Sequence, residues 1–221
     1  MKSDVTIDIE GHATVSGLWL APKNARACLV LAHGAGAGMA HPSMAAIAEG
    51  LKERGVATLR FQFPYMERGS KRVDSPRVAH AAVRAAVSEA RRRAGTLPLF
   101  AGGKSFGGRM TSQTQSEAPL EDVRGLVFFG FPLHPAGAPS VERAAHLKDV
   151  GIAMLFLQGS NDALADVSLM RPAVAALGRR ATLRLFADAD HSFHVPKRSG
   201  RTNAAVMGEL LDVAAEWMFK T

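Results

Sequence analysis

One serine lies at the centre of a short glycine-rich segment that suits nucleophilic chemistry. Residues 103–107 read Gly-Lys-Ser-Phe-Gly, the pattern G-x-S-x-G, with Ser105 in the middle. A strand that turns sharply into a helix holds the residue at the turn in a strained backbone conformation, and small neighbours avoid collisions across the turn. The turn lifts the serine hydroxyl clear of the backbone, where a base can reach it. Ser105 is therefore the candidate nucleophile.

The residues on both sides of this segment favour the same interpretation. Residues 98–102 form a short apolar run typical of a buried strand, and residues 106–116 can continue as a helix. A strand, the motif and a helix in that order are the arrangement that the motif requires. An ordinary glycine-rich turn with an incidental serine is the alternative.

Two nucleotide-binding motifs compete for the glycines, and neither fits. A phosphate-binding loop ending at Lys104 and Ser105 needs glycine at position 98, which is Pro98. Residues 33–38 read His-Gly-Ala-Gly-Ala-Gly after an apolar run, as in a dinucleotide-binding turn. The last glycine of that fingerprint would fall on a methionine or a histidine, and no acid follows the next strand to bind a ribose. Nucleotide binding is the weaker interpretation.

A base and an acid for the serine are expected after two later strands. Asp162 lies in the turn after one apolar run, and His191 lies in the turn after the next. The carboxyl ends of parallel strands meet at one edge of a sheet. A serine hydroxyl needs a histidine to accept its proton, and a carboxylate must orient that histidine. We predict Asp162 as the acid, ahead of Asp188 and Asp190, which flank His191.

Backbone N–H groups must also stabilise the charge that develops on a substrate carbonyl. One donor is expected to be the N–H of Phe106, immediately after the nucleophile. The second is expected from the glycine-rich loop at residues 33–38, where we select Ala35. His33 is interpreted as the residue that holds this loop by hydrogen bonds, without a part in proton transfer.

The substrate pocket is less well determined by the sequence. Residues 131–139 lead directly into a short helix, which leaves little room for a lid and predicts an open, shallow pocket. Five residues on loops at the catalytic edge are the candidate lining: Met39, Tyr65, Met66, Lys104 and Phe131. The apolar members would favour an apolar acyl or alcohol group. His41, His134 and His194 are either at the mouth of the pocket or ordinary surface and packing residues.

Strand-like and helix-like segments alternate along the chain, as in a doubly wound α/β fold. The predicted strands, the first two antiparallel, are residues 6–10, 14–20, 27–32, 58–63, 98–102, 125–130, 152–157 and 182–186. The predicted helices are residues 43–55 with Ser43 as the N-cap, 76–93, 106–116, a short one from 140, 166–177 and 203–219. We predict one α/β domain over residues 1–221, with a mostly parallel sheet of about eight strands flanked by helices and a minimal lid.

Composition and charge limit the classes of partner. The chain has 221 residues, of which 47% are hydrophobic, enough to bury a full core, and a net charge of +7. The basic residues of helix 76–93 form one face with His80, and no aromatic residues are interleaved for base stacking, so nucleic acid is not expected. His12 and His146 are also predicted at the surface.

Composition and residue patterns also indicate in which compartment the protein is expected. No hydrophobic run approaches the ~20 residues that span a bilayer, so no membrane partner is expected. The alternating, acidic start is not a signal peptide. The single cysteine, Cys28, lies in an apolar strand without a disulfide partner, which favours a core position and a reducing cytoplasm.

Taken together, the serine motif, the loop at residues 33–38 and the pair Asp162 and His191 resemble the α/β-hydrolase superfamily, over essentially the whole chain. The order Ser, Asp, His is the one that this superfamily uses. The short form with a minimal lid resembles the dienelactone-hydrolase-like branch, whose true dienelactone hydrolases have cysteine where this chain has Ser105.

The resemblance implies a serine hydrolase that cleaves a carboxylic ester, or a thioester or amide, through an acyl-enzyme. The expected partner is a small-molecule ester, and no metal or organic cofactor is expected. An acyltransferase with the same residues, and an interaction module that keeps the fold with little catalysis, are the alternatives. The interaction module would have a covered pocket or a large exposed apolar patch.

Overall fold

One eight-stranded sheet runs through the molecule. The computed structural model of the chain describes residues 2–221. The strands are β1 (Lys2–Ile7), β2 (Val15–Leu20), β3 (Ala27–Ala32), β4 (Val56–Phe61), β5 (Leu99–Lys104), β6 (Val123–Phe129), β7 (Ala153–Gly159) and β8 (Ala181–Phe186). Their order in the sheet is β1-β2-β4-β3-β5-β6-β7-β8. The predicted sheet is confirmed in strand number and in the approximate positions of seven strands, whereas β1 begins four residues earlier than predicted.

One strand of this sheet, β2, runs opposite to the other seven. Strand β2 pairs antiparallel with β1 and with β4, whereas every pairing from β4 to β8 is parallel. From β3 the chain continues to β4 on one side, and from β5 it continues to β6 on the other. The boundary between β3 and β5 is thus a topological switch point, where the loops that follow the two strands diverge and leave a crevice.

Helices cover both faces of the sheet. They are α1 (Pro42–Glu53), α2 (Pro64–Glu67), α3 (Pro76–Ala94), α4 (Phe106–Glu117), α5 (Val167–Ala175) and α6 (Asn203–Lys220), with short 3-10 helices at Glu142–Asp149, Gly178–Arg180 and Lys197–Ser199. Helices α1 and α6 bury their apolar sides on one face, and α2 to α5 on the other. The central strands are therefore buried on both faces, which explains their continuous apolar runs.

Local sequence signals explain most helix boundaries. Two predictions about single residues of the helices, however, are wrong. The N-cap of helix α1 lies two residues earlier than predicted, because the Nδ1 atom of His41, not Ser43, caps the helix by accepting from the Ser43 N–H at 3.2 Å. The prediction that His80 is a surface residue is wrong: its ring is buried between α3 and α4, where Nδ1 lies 2.9 Å from Glu117 Oε2. The polar face of α3 is thus partly covered by its neighbour helix.

Two further predictions concern the position of Cys28 and the absence of membrane-spanning segments. Cys28 lies in the core, and burial raises the pKa of its thiol to about 12. Within residues 2–221, no helix combines the length and the apolar character needed to cross a membrane.

Candidate active site

Ser105 occupies the sharp turn between β5 and α4. Its φ of 51° and ψ of −117° lie in a region that residues with a side chain rarely adopt. The Ser105 N–H donates to the Phe129 carbonyl at 3.3 Å, and the Ser105 carbonyl accepts the first bond of α4 from the Arg109 N–H at 3.1 Å. The sheet and the helix together hold the residue in this conformation, which costs on the order of 1–3 kcal/mol.

The two glycines of the motif are required by the close approach of β3. A Cβ atom on Gly103 would lie 2.3 Å from the Ala32 carbonyl oxygen. A Cβ atom on Gly107 would lie 2.5 Å from the His33 carbonyl oxygen. Because both contacts are with backbone, no side-chain movement can relieve them. The predicted reason for these glycines, collision across the turn, is therefore wrong: the crowding is with the end of β3.

Ser105, His191 and Asp162 are joined by two hydrogen bonds. The Oγ atom of Ser105 lies 2.8 Å from His191 Nε2, and His191 Nδ1 lies 2.7 Å from Asp162 Oδ2. Since a carboxylate only accepts, this network assigns the ring proton to Nδ1 and leaves Nε2 free to accept from the serine. The structure thus brings together the three residues that the sequence placed on separate strands.

Asp162 is held by more partners than the sequence suggested. Its side chain is fully buried, its Oδ1 accepts from the Leu164 N–H at 2.8 Å, and its Oδ2 also accepts from Gln158 Nε2. The other end of the Gln158 amide accepts from the Phe131 N–H at 2.9 Å. Sequence analysis missed Gln158, whose only signal is a polar residue at the end of an apolar strand. This amide fixes the carboxylate before any substrate arrives.

The two aspartates beside His191 do not touch its ring. Asp190 accepts with Oδ1 from the N–H groups of Ser192 at 2.7 Å and His194 at 2.9 Å, so it holds the turn that carries His191. Asp188 has a φ of 60°, and its backbone N–H donates to Ser160 Oγ at 2.8 Å. The preference for Asp162 over both neighbours agrees with these positions.

The glycine-rich loop after β3 passes directly beside the serine. A Cβ atom on Gly34 would lie 3.7 Å from Ser105 Cβ. His33 is buried, its Nδ1–H donates to the Gly34 carbonyl at 2.8 Å, and its Nε2 accepts from the Phe63 N–H at 3.0 Å. Burial lowers the pKa of His33, which favours the neutral ring that this pair of bonds requires.

The His33 contact also fixes a neighbouring N–H group. The Gly34 carbonyl and the Ala35 N–H belong to one planar peptide and point in opposite directions. By holding the carbonyl, His33 sets the plane of the peptide that carries the Ala35 N–H. Within residues 2–221, no hydrogen-bond acceptor meets the N–H of Ala35 or of Phe106. Both groups are thus free to bind an oxyanion.

A cavity of about 790 Å³ opens beside Ser105. Its lining comes from the loop after β3, the first turns of α1 and α6, and the turn that carries His191. The lining residues with larger side chains are His41, Met44, Lys104, Leu164, Phe193, His194, Asn203 and Met207. Among residues 2–221, no aspartate or glutamate lines it. Residues from the first turns of α1 and α6 thus form walls beside the serine.

Four of the five predicted lining residues lie elsewhere. Tyr65 and Phe131 are fully buried in the core, since the segments after β4 and β6 turn inward under their helices. Met66 packs half-buried against the same core. Met39 lies outside the lining, and its backbone is held by Gln62 and Arg60. Only Lys104 lines the cavity.

The sequence left two possible positions for each of three histidines, His41, His134 and His194, and the structure places them differently. His41 and His194 line the cavity, whereas His134 is buried and accepts with Nε2 from the Asp166 N–H at 2.9 Å. In the part of the chain that the structure describes, no three His, Cys, Asp or Glu side chains are grouped so as to hold a metal ion.

Comparison with known proteins supplies an independent view of this architecture. A family model described as an alpha/beta hydrolase domain matches residues 25–219. Dienelactone hydrolase from Anabaena variabilis is similar in structure with a TM-score of 0.81 and 21% sequence identity, over 100% of this chain and 97% of that protein.

Two other solved structures extend the comparison. A serine hydrolase without a lid from Xanthomonas campestris matches with a TM-score of 0.74 and 20% identity, over 98% of this chain and 94% of its own. The esterase domain of a Rhodothermus marinus protein matches with a TM-score of 0.75 and 15% identity, over 100% and 98%. At these identities the similarity shows a common fold, and the fold expected from the sequence is confirmed.

Proposed function

Because the chain belongs to the α/β-hydrolase family, we propose that it cleaves carboxylic esters through an acyl-enzyme formed on Ser105. The observation that carries the proposal is the chain of two hydrogen bonds, 2.8 Å and 2.7 Å long, from a strained serine through His191 to a buried carboxylate. A protein that only binds a partner has no physical need for a strained serine aligned with a base and an acid.

In the first half of the reaction, Ser105 Oγ attacks the carbonyl carbon of the ester while His191 Nε2 takes the hydroxyl proton. The N–H groups of Phe106 and Ala35 stabilise the negative charge on the carbonyl oxygen. Asp162 stabilises the imidazolium through Nδ1–H. His191 then gives its proton to the leaving alkoxide, the ester C–O bond breaks, and the alcohol departs.

In the second half, a water molecule takes the place of the alcohol. His191 Nε2 accepts one water proton as the water oxygen attacks the acyl carbon, and the same donors stabilise the second oxyanion. The bond between the acyl carbon and Ser105 Oγ breaks, and the proton on His191 returns to Oγ. The products are a carboxylic acid and the free enzyme.

The cavity supports an apolar group on the substrate. Met44, Leu164, Phe193 and Met207 provide its larger apolar side chains, and alanines 35, 37, 46 and 204 provide the smaller ones. Its volume of about 790 Å³ is within the range of small-molecule sites. Only Val73 and Val141 are exposed large hydrophobic residues among residues 2–221, so the large apolar patch, one of the two features expected of an interaction module, is not found there.

Labelling with a fluorophosphonate probe tests the proposal. We expect the native chain to be labelled and to hydrolyse p-nitrophenyl esters, and the Ser105→Ala variant to lose labelling and about 10⁴-fold or more in kcat. Ser116→Ala, a change of a half-buried serine at the other end of the same helix, is the matched control and keeps both activities. A folded native chain that neither reacts with the probe nor turns over any ester would contradict the proposal.

A further inference from the structure

Lys104, the residue before the nucleophile, places its ammonium group against the backbone of His191. Lys104 is the last residue of β5, and its side chain extends from the same face of the strand as Phe100, toward the cavity. Its Nζ donates to the backbone carbonyl of His191 at 2.8 Å. This bond joins the strand that carries Ser105 to the turn that carries the base.

The position is a costly one for a charged group. Burial lowers the pKa of Lys104, and the negative charges of Asp162 and Asp190 oppose that effect. The ammonium also lies 5.7 Å from the centre of the Phe193 ring, within cation–π range. A buried ammonium is destabilising unless its interactions compensate for the lost solvation. The interactions that compensate here are all with the turn that carries His191 or with its acid.

The turn that carries His191 depends on Lys104 for a hydrogen bond to one of its backbone carbonyl groups. Asp190 satisfies the N–H groups of Ser192 and His194, and the Phe193 N–H donates to the Asp190 carbonyl at 3.0 Å. Phe193 has a φ of 63°, an unusual conformation for a bulky residue, while its ring is buried in the core. Within the described residues, the His191 carbonyl receives a hydrogen bond only from Lys104.

We propose that Lys104 is a positioning residue for the reaction. It ties the backbone of His191 to the strand of the nucleophile, so that the imidazole stays within hydrogen-bond distance of Ser105. Its charge acts in addition, because a cation beside the pair of Asp162 and His191 opposes protonation of the imidazole. The inference rests on the proposed ester hydrolysis.

A change of Lys104 to methionine tests both parts of this role. Lys104→Met keeps the length of the side chain and removes the donor and the charge. We expect kcat/KM and the rate of fluorophosphonate labelling to fall about 10- to 100-fold. Lys71→Met, a change of an exposed lysine, is the matched control. Far-ultraviolet circular dichroism and a thermal melt establish that the variants are folded.

The pH profile separates electrostatic positioning from a purely structural role. The charges that act on the Lys104 ammonium are the carboxylates of Asp162 and Asp190, and the imidazoles of His191 and His194 line the same cavity. Loss of the cation makes the imidazolium easier to form, so the acidic limb of kcat/KM in Lys104→Met moves to higher pH. A merely structural role lowers activity without moving that limb.

Restoration of the amine gives a second, independent readout. Lys104→Cys treated with 2-bromoethylamine carries a side chain with the length and charge of lysine. Cys28 is buried, with its pKa raised to about 12, so the alkylation is selective for position 104. We expect aminoethylation to recover activity about tenfold or more, and neutral carboxamidomethylation with iodoacetamide to recover none.

The outcomes distinguish this inference from the proposed function. A native chain that reacts with the probe and hydrolyses esters, together with a fully active Lys104→Met variant whose pH profile is unchanged, overturns the role of Lys104 and leaves ester hydrolysis intact. Equal activity of the two alkylated cysteine variants overturns it as well. A native chain without an activated serine overturns both.

Discussion

At the scale of single residues, two residues of the site adopt backbone conformations that cost free energy. Ser105 has a positive φ, and the same is true of Phe193 in the turn that carries His191. Both residues are fixed by surrounding hydrogen bonds and core packing, so the fold compensates for their strain. The benefit is an exposed hydroxyl that already contacts its base without substrate.

The strain at Ser105 can be measured by comparing two inactive variants. Ser105→Gly removes the steric cost of the positive φ, whereas Ser105→Ala retains it. After the greater flexibility of glycine in the unfolded chain is subtracted, we expect the free energy of unfolding of the glycine variant to exceed that of the alanine variant by about 1 kcal/mol. Urea denaturation of both proteins gives this difference. A glycine variant that is less stable than the alanine variant even after this subtraction would show that the turn is not strained.

At the scale of elements, the switch point between β3 and β5 creates the site. The loop after β3 supplies the candidate oxyanion donor at Ala35, and the turn after β5 supplies the serine and the N–H of Phe106. Strands β7 and β8 then bring Asp162 and His191 to the same edge. The cavity walls come from α1 and α6, which pack on the face of the sheet toward which Lys104 points.

The close contact between β3 and the start of α4 leads to a specific prediction. In Gly107→Ala, the new Cβ atom would lie 2.5 Å from the His33 carbonyl oxygen. We expect the backbone to shift, the free energy of unfolding to fall by about 3 kcal/mol, and labelling of Ser105 to decrease strongly. Gly151→Ala is the control, since a Cβ atom there meets nothing within 4 Å. Unchanged stability in Gly107→Ala would mean that the two elements are not in tight contact.

At the scale of the whole molecule, a histidine away from the site links stability to pH. His146 lies on the 3-10 helix Glu142–Asp149, and its Nε2 is 2.8 Å from Ser112 Oγ on α4. Burial, with the positive charge of Arg109 as a further cause, lowers its pKa from 6.5 to about 4. Between these values the unfolded chain binds a proton that the folded chain does not, so stability falls as pH falls from 6.5 to 4.

Replacement of His146 should make the protein more resistant to acid. His146→Gln keeps a donor for Ser112 but cannot take up the proton. From pH 7 to pH 4.5, we expect the native chain to lose about 1–2 kcal/mol more free energy of unfolding than this variant, after allowance for solvent screening. Urea denaturation at the two pH values measures the loss, with His12→Gln, a change of an exposed histidine, as the control. Equal losses in native and variant chains would contradict the assignment.

The sequence by itself determined the alternation of strands and helices and the residues of the candidate triad. Apolar runs mark buried strands because both faces of a parallel sheet are covered, and turns after such runs lie at one edge. Ser105, Asp162 and His191 could therefore be placed together without coordinates. Ala35 and Phe106 followed from the same logic, since their part depends on backbone N–H groups next to glycines.

Only the tertiary structure decided what surrounds those residues. Tyr65 and Phe131 follow strands at the catalytic edge, yet both turn into the core, because packing under the helices decides the side to which a loop folds. Met44 and Met207 are 163 positions apart in the chain (207 − 44) and meet at one cavity through the packing of α1 against α6. The contacts of Gln158 with the Phe131 N–H and of Lys104 with His191 likewise join the ends of different strands. Such contacts depend on distances between elements, which no local pattern of residues encodes.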